Sequence, residues 1–335
     1  MAAMPNAPAT FKQKLAVAHY VFLWLVCPIM SLWVPLYLLT TNIWPLVLAY
    51  FGWMFLDYST PRKGGRSWKW YQRLSLWQHF RDYFPLRMVK TADLPADRNY
   101  ILGSHPHGVL SFGIFGNCLT AASGFREQFP GIQPSVATLD GQFKFALRRD
   151  FAMGMGGVSA AQESISWLLQ NPGKGRAVAV VVGGAEEALE ARPGATRLRL
   201  VKRYGFVRLA IQYHCQLVPV YHFGENDLYG DNGTEDNTHL RSLQTKIKSV
   251  FGFAPPQLRG TGLFTSFGLL PKRRPVTSVF GSPIECKVHG HEYGTTPDLA
   301  DVERVHATYC EQLNELFETH KLGHGYSEEA KLEFF

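Results

Sequence analysis

The stretch Ala177-Val-Ala-Val-Val-Val182 is apolar throughout, and Gly183-Gly-Ala-Glu-Glu187 follows it directly. A short apolar run that ends in glycines is typical of a strand buried on both faces of a parallel sheet. Similar strand patterns occur at Asn99–Gly103, Leu217–Phe223 and Val276–Phe280. Helical patterns alternate with them, at Val109–Ala122, Ala160–Leu169, Phe206–His214 and Asp301–His320. This alternation predicts an α/β domain that begins at about Thr91.

The motif His105-Pro-His-Gly108 follows the first of these strands, so it stands where a strand ends and a helix begins. Pro106 fixes its own φ and favours an extended His105, and Gly108 can adopt backbone conformations closed to other residues. A neutral imidazole accepts a proton near neutral pH, and N–H groups at the start of a helix can stabilise an oxyanion. The motif therefore predicts either a general-base site or a turn with two surface histidines.

The carboxylates of Glu186 and Glu187 stand at the equivalent position after the strand Ala177–Val182. If the two strands are neighbours, a glutamate can hold an imidazole nitrogen and stabilise its protonated form. The alternative is a helix N-terminus that carries acidic residues because of the helix dipole.

The charge and cysteine content limit the classes of partner. The 335 residues include 34 Lys and Arg against 27 Asp and Glu, which gives a net charge of +7. Such a balance favours an anionic partner, and the basic segment Arg197–Arg203 is a candidate phosphate site or a solvated surface. The long apolar segment described next argues against nucleic acid. The five cysteines form no CxxC pair, and no ligand set completes His289-Gly-His291, so we predict neither a disulfide framework nor a metal site.

The N-terminal segment from Leu15 to Leu56 contains no Asp, Glu, Lys or Arg. Because Pro28, Pro35 and Thr40-Thr-Asn42 interrupt it, we predict two helices joined by a turn. Cations flank both ends of the segment, and the positive-inside rule places both ends on the cytosolic side. Residues 1–60 are therefore predicted to form a transmembrane helical hairpin, the alternative being a helix pair in a soluble core. The second segment, Ile43 to Leu56, is short for a full span, so a re-entrant segment stays open as well.

Residues 61–98 connect this hairpin to the domain formed by residues 99–335. In the connector an aromatic residue or a leucine recurs every three positions, at Trp68, Tyr71, Leu74, Trp77 and Phe80. With cations away from that stripe, the pattern favours an amphipathic helix in the headgroup layer. Packing of the stripe into the domain core is the second interpretation.

Together these features resemble the diacylglycerol acyltransferase 2 family, which includes monoacylglycerol and wax-alcohol acyltransferases. The resemblance covers nearly the whole chain, because several spaced motifs occur in the right order. They are Pro61-Arg-Lys-Gly-Gly-Arg66, Tyr83-Phe-Pro85, His105-Pro-His-Gly108, Gly183-Gly-Ala-Glu-Glu-Ala-Leu189, Arg192-Pro-Gly194, Arg203-Tyr-Gly-Phe206, Val218-Pro219 and Phe223-Gly-Glu-Asn226.

The resemblance implies acyl transfer from acyl-CoA to a neutral-lipid hydroxyl, at the endoplasmic reticulum membrane and at lipid droplets. It also implies a glycerophosphate-acyltransferase-like mixed sheet flanked by helices, with acyl-CoA as co-substrate and no bound cofactor. The glycerophosphate acyltransferases carry a His-x4-Asp motif, but Leu110 and Phe112 stand five residues after the two histidines here. Glu187, which matches the family's Gly-Gly-Ala-x-Glu pattern, is therefore the candidate partner of the base.

In the implied mechanism, His105 or His107 takes the proton of the acceptor hydroxyl, with a slight preference for His105 because Pro106 holds it extended. Glu187 stabilises the imidazolium, and backbone N–H groups near Gly108 stabilise the oxyanion. The candidates for binding the CoA phosphates are Arg149, Arg197, Arg199, Lys202 and Arg203.

The acceptor and the oligomeric state stay open at this stage. The sequence slightly favours monoacylglycerol or diacylglycerol over a fatty alcohol, and a homo-oligomer is compatible with it. Two rivals remain: a membrane-bound lipid hydrolase that uses the same histidines with water, and a non-enzymatic hairpin protein of lipid-droplet surfaces.

Overall fold

The computed structural model describes residues 8–170, 174–230 and 259–335, and its centre is a seven-stranded sheet. The strands are β1 (Arg87–Lys90), β2 (Tyr100–His105), β3 (Gln133–Thr138), β4 (Gly157–Ser159), β5 (Arg176–Val181), β7 (Gln216–Phe223) and β8 (Thr277–Phe280). Their order is β1-β8-β7-β2-β5-β3-β4, and only the β7–β8 pair is antiparallel. A small second sheet pairs β6 (Arg197–Leu198) with β9 (Glu333–Phe334). The predicted α/β class with a mixed sheet is confirmed.

The central strand β2 lies between β5 and β7, and all three run in the same direction. Tyr100 is in register with Ala177 of β5 and with Gln216 of β7. Every residue of β2 and β7 is buried, as expected for strands covered on both faces. The strands before the two motifs are therefore neighbours, which is the condition that the sequence left open, and all three strands end at the same edge of the sheet.

Helices pack against the sheet, and the N-terminal helices precede its first strand in the chain. Their bounds are Phe11–Leu38, Trp44–Leu56, Lys69–Gln72, Leu76–Tyr83, Phe112–Ile114, Phe125–Gln128, Arg148–Met155, Gln162–Gln170, Gly184–Ala188, Gly205–Gln212 and Leu299–His320. The last one packs on β7 with its predicted apolar face, which comprises Val302, Val305, Tyr309, Leu313, Leu316 and Phe317.

The prediction of a helix over Val109–Ala122 was wrong in both the start and the length of the helix. A turn precedes it, because Ser111 adopts φ 55°, and the α-helix covers only Phe112–Ile114. A π-helical turn, Phe115–Leu119, then ends the segment, and Thr120 is extended. The loop after β2 is consequently longer than the sequence pattern indicates.

The N-terminal region forms two helices joined by a turn at residues 39–43, as predicted. Within the described residues, the helix Phe11–Leu38 is the one that is long and apolar enough to cross a membrane, and it suggests membrane association. Its outer half exposes large apolar side chains, including Leu32 and Trp33, and so does the shorter helix Trp44–Leu56. A cavity of about 320 Å³, lined almost entirely by apolar side chains, lies between the two helices and residues 146–151.

The inner half of the helix Phe11–Leu38 belongs to the core of the domain. Tyr20 is buried against an aromatic cluster, with ring centroids 4.2 Å from Phe115 and 5.1 Å from Phe112. The Tyr20 hydroxyl donates a hydrogen bond to the carbonyl oxygen of Leu110, at 2.6 Å. The first membrane-type helix is therefore fixed directly to the loop after β2.

The connector residues pack into this same core. Tyr71, Trp77 and Phe80 are buried, whereas Trp70 is exposed. The stripe is also broken into two short helices, Lys69–Gln72 and Leu76–Tyr83. Of the two interpretations from sequence, core packing describes the buried side chains of this stripe.

Candidate active site

Three loops that follow β2, β5 and β7 converge at the carboxyl edge of the sheet. They contribute His105-Pro-His-Gly108, Gly183-Gly-Ala-Glu-Glu187 and Gly224-Glu225. In open parallel sheets, the carboxyl ends of the strands are where ligands bind. The structure therefore brings together the two motifs that the sequence singled out, and it adds a third.

His105 is completely buried and is held by a residue of the C-terminal helix. Its Nε2 lies 3.0 Å from the Tyr309 hydroxyl, which also lies 3.1 Å from the carbonyl oxygen of Gly103. Because a carbonyl can only accept, the hydroxyl proton goes to Gly103 and His105 carries its own proton on Nε2. Burial, with the nearby His222, lowers the pKa of His105 to about 3. His105 is therefore a neutral ring enclosed beneath the loop.

A second buried histidine supports the floor of the site. His222 of β7 lies 2.8 Å from the Ser104 hydroxyl through Nε2, and 2.6 Å from the Ser278 hydroxyl through Nδ1. Asn117 donates a hydrogen bond to the same Ser278 hydroxyl, at 2.6 Å. Burial lowers the pKa of His222 to about 3, so this network is uncharged.

His107, unlike His105, is partly exposed to solvent. Its Nδ1 lies 2.9 Å from the carbonyl oxygen of Gly108, so Nδ1 carries the proton and donates it. This tautomer leaves the lone pair on Nε2. Partial burial of the ring lowers the pKa of His107, so the ring is neutral and its Nε2 lone pair can accept a proton.

Glu187 is buried, and its two oxygens accept hydrogen bonds from two different loops. The backbone N–H of His107 donates to Oε1 at 2.6 Å, and that of Arg199 donates to Oε2 at 2.7 Å. Burial raises the pKa of Glu187 to about 7, although the two N–H donors act in the opposite direction. The sequence predicted contact with an imidazole nitrogen, but the carboxylate binds the backbone of the histidine motif.

Glu225 occupies a matching position on the other side of the motif. The backbone N–H groups of Phe112 and Gly113 donate to its two oxygens, each at 2.8 Å. Burial raises the pKa of Glu225 to about 7 as well, again against the effect of these two donors. Sequence reasoning cited this residue only within a family motif and gave it no role.

Of the two groups of backbone donors named from the sequence, those at the start of the helix and those near Gly108, these contacts occupy the first. The first N–H groups of the helix after the motif already bind Glu225, so they are occupied. Gly108 adopts φ 60° and begins a turn over residues 108–110, which Ser111 follows with φ 55°. The N–H groups of this turn, starting at Gly108, are the remaining donors beside His107.

Four of the five predicted phosphate-binding cations form one group next to Glu187. Arg199 and Arg203 both form ion pairs with Glu186, the latter at 3.2 Å. Arg197 lies over the ring of the C-terminal Phe335, and Lys202 is exposed. The basic segment is thereby joined to the loop after β5.

Arg149 lies elsewhere, and its position does not support the predicted contact with phosphates. Its side chain is buried and forms an ion pair with Asp57 at 2.9 Å, plus a hydrogen bond to the carbonyl oxygen of Asp57. Asp57 directly follows the helix Trp44–Leu56. Arg149 therefore ties the second apolar helix to the domain.

Tyr309 and His222 are the site residues that the sequence gave least sign of. Tyr309 is 204 positions from His105, and its spacing placed it on an apolar helix face without indicating its hydroxyl contact. His222 stands inside the apolar strand pattern Leu217–Phe223, and its polar ring is the signal that the sequence offers for it.

Comparison with known proteins assigns the family. The diacylglycerol acyltransferase family model matches residues 36–335. The chain belongs to the diacylglycerol acyltransferase family. This family member is 39% identical over 323 residues to human diacylglycerol O-acyltransferase 2, covering 96% of this chain and 82% of that protein. It is therefore an acyltransferase.

Two further relatives have a different name and acceptor. Human 2-acylglycerol O-acyltransferase 3 is 42% identical over 286 residues, covering 85% of this chain and 82% of that protein. Bovine 2-acylglycerol O-acyltransferase 1 is 38% identical over 323 residues, covering 96% and 95%. Among solved structures, a 1-acyl-sn-glycerophosphate acyltransferase of Thermotoga maritima covers 91% of this chain and 97% of its own, with a TM-score of 0.38 and 12% identity. That likeness is too weak to assign the fold, which rests on the strand order.

Proposed function

We propose that this acyltransferase esterifies monoacylglycerol or diacylglycerol with the acyl group of acyl-CoA, and that His107 is the general base. The observation that carries the proposal is the state of the two histidines. His107 is partly exposed with its lone pair on Nε2, whereas His105 is enclosed and hydrogen-bonded to Tyr309. The slight preference for His105 at the sequence level is therefore reversed.

The chemistry requires one base and donors for an oxyanion. The acceptor hydroxyl attacks the thioester carbonyl as its proton passes to Nε2 of His107. The turn that begins at Gly108 offers its N–H groups to the oxyanion of the tetrahedral intermediate. When the intermediate collapses, the C–S bond breaks and the CoA thiolate takes the proton from the imidazolium. The proposed reaction steps use no metal and no bound cofactor.

Glu187 contributes through the backbone and through its charge. Its Oε1 accepts a hydrogen bond from the backbone N–H of His107 and so fixes the position of the residue whose ring is the base. In its ionised form it lies close to the imidazolium that forms in the transition state, and opposite charges at short range in a buried site attract strongly.

The CoA phosphates are assigned to the basic segment that includes Arg197, Arg199, Lys202 and Arg203. Glu186 and Glu187 join this segment to the loop beside the base. A nucleotide held there keeps the thioester near the histidine motif, and guanidinium groups suit phosphate recognition.

We further propose that the apolar helices insert as a hairpin in the endoplasmic reticulum membrane, with the domain on the cytosolic side. The exposed apolar side chains of both helices support insertion. Lipid-droplet surfaces can hold the same hairpin. The sequence offers a topology reporter in Asn232-Gly-Thr234, because luminal exposure permits its glycosylation. We expect no endoglycosidase-sensitive shift in mobility, and such a shift would place the domain in the lumen.

One assay tests the activity and its rivals together. Membranes that contain the protein are incubated with labelled acyl-CoA and with monoacylglycerol, diacylglycerol or fatty alcohol. We expect labelled diacylglycerol or triacylglycerol, and a variant in which both His105 and His107 are Ala serves as the control. Release of free fatty acid without new ester indicates a hydrolase, and absence of both products in folded protein indicates a non-enzymatic role.

A further inference from the structure

Glu225 combines burial, charge and contact with the active loop in a way that the proposed reaction does not yet use. The residue is 1% exposed, and it lies just beyond the carboxyl end of β7. Its carboxylate accepts two backbone N–H groups at the far end of the loop that begins with His105. A carboxylate that receives two such donors is a strong, directional anchor for the chain.

The same side chain also determines which residues fit at the near end of that loop. A Cβ atom added to Gly108 would lie 2.5 Å from Cγ and 2.7 Å from Oε1 of Glu225. A Cβ atom added to Gly113 would lie 2.7 Å from Nδ1 of His222 and 3.1 Å from Oε2 of Glu225. The absence of a side chain at Gly108, which the sequence suggested would serve the substrate, is needed for Glu225.

We propose that Glu225 is a positioning residue of the acyl transfer, a role that rests on the proposed function of the histidine loop. It binds the N–H groups of Phe112 and Gly113 and packs against Gly108, so it fixes the curvature of the chain between them. This curvature sets where the ring of His107 lies and leaves the N–H groups from Gly108 to Ser111 for the acyl carbonyl.

Two carboxylates therefore hold one loop from opposite sides. Glu187 binds the N–H of His107, and Glu225 binds the N–H groups five and six positions further along. Because each carboxylate binds backbone and not a ring nitrogen, both act on the position of the base. Misplacement of a catalytic group by about 1 Å can cost on the order of 100-fold in rate.

The test is Glu225→Gln, measured as kcat and KM in membranes that contain the full chain. The amide oxygen can accept only one of the two N–H groups, and the amide nitrogen faces the other as a second donor. We expect kcat to fall about 10- to 100-fold while KM for acyl-CoA changes less than about threefold. A matched control is Asp227→Asn, since Asp227 is two residues away and also accepts a backbone N–H, from Gly194 at 2.9 Å. We expect the Asp227→Asn control to have the same kcat and the same KM for acyl-CoA as the parent chain.

A second variant covers the case in which Glu225→Gln folds poorly. Gly108→Ala places a methyl group against Glu225, and we expect it to lower kcat in the parent chain. In the double variant, Glu225→Ala opens the space that the methyl group needs. We therefore expect the fold-loss of kcat in the double variant to be smaller than the product of the two single fold-losses. Multiplicative losses, or a Glu225→Gln enzyme with parental kcat, would overturn the proposal. If His107→Ala is also fully active, the proposed function itself fails; if His107→Ala is inactive, only the role of Glu225 is lost.

Discussion

Different forces organise the loop from His105 to Gly113 and the outer half of the N-terminal hairpin. In the loop, Glu187 and Glu225 accept hydrogen bonds from backbone N–H groups, and the Tyr309 hydroxyl is hydrogen-bonded to the ring of His105. In the hairpin, large side chains such as Trp33 point away from the protein, and nothing in the described chain covers them. The loop is thus specified by internal partners, whereas we expect the proposed membrane hairpin to be specified by surrounding lipid.

This difference separates two roles of the same residue type. Trp77 is fully buried beneath the loop, whereas Trp33 is 68% exposed on the hairpin. Burial in a packed core stabilises the fold, whereas exposure in a lipid-facing helix stabilises insertion. Sequence composition alone does not distinguish them.

The largest expected effect concerns these two tryptophans. Trp77→Ala removes a fully buried ring, and we expect it to lower the free energy of unfolding by about 3–5 kcal/mol. Trp33→Ala removes a ring with few protein neighbours and is expected to change it by less than about 1 kcal/mol. Thermal unfolding in detergent micelles measures both, and equal losses would show that the hairpin is core and not lipid-facing.

The second effect concerns the anchor of the base. Glu187→Gln keeps the size of the side chain but loses one of two N–H bonds and the negative charge near His107. We expect kcat to fall on the order of 100-fold, which corresponds to about 3 kcal/mol in the barrier. Steady-state kinetics with acyl-CoA tests this, with Glu163→Gln as the control because that glutamate is 69% exposed. Parental kcat in Glu187→Gln would remove Glu187 from the site.

The third effect is pH dependence, and its sign follows from burial. Glu187 and Glu225 have pKa values raised to about 7, against 4.5 for an ordinary glutamate. Their contribution to stability is present in full below pH 4.5 and is lost as pH rises through 7, because the unfolded chain ionises first. Activity is expected to change with pH in the opposite direction, because the ionised carboxylates hold the loop and stabilise the imidazolium.

We therefore expect kcat/KM to rise with pH up to about 7, roughly tenfold per unit on the acid side, while the unfolding temperature falls over the same range. Profiles of rate and unfolding between pH 5 and 8.5 measure both. Glu187→Gln should weaken both dependences. A rate that is independent of pH below 7 would contradict the assignment of these two carboxylates.

The smallest effect concerns the basic segment. Arg199→Gln removes one cation beside Glu186 without touching the histidine loop. We expect KM for acyl-CoA to rise about three- to tenfold at low salt, with kcat unchanged and the difference reduced at high ionic strength. Arg304→Gln, at an exposed position on the C-terminal helix, serves as the control. An unchanged KM would place the CoA phosphates elsewhere.

Much of this organisation was readable in the sequence, because burial leaves periodic patterns. The strands β2, β5, β7 and β8 appeared as apolar runs, and the last helix as a stripe that includes Val302 and Leu313. The convergence of His107 and Glu187 followed from the rule that parallel strands end at one edge. The strands β1 and β4 and the small sheet were missed because each has too few residues to show a period. The six-residue strand β3 was missed as well, because Gln133, Pro134 and Ser135 interrupt its apolar pattern.

The atomic roles were beyond sequence reasoning for a physical reason. Which imidazole is accessible depends on Tyr309, which is distant along the chain but adjacent in space. Arg149 carries the same charge as Arg199, yet its side chain is buried and forms an ion pair with Asp57. Such choices are made by tertiary contacts between distant segments, and residue type alone does not encode them.

The central claim is that His107, and not the enclosed His105, accepts the proton of the acceptor hydroxyl. It is tested most directly by the rate of labelled triacylglycerol or diacylglycerol formation in membranes that contain His107→Ala. The account predicts a loss on the order of 1000-fold, with thermal unfolding unchanged, because the variant keeps the fold and loses only the base. A His107→Ala enzyme that retains activity within about tenfold of the parent would contradict it.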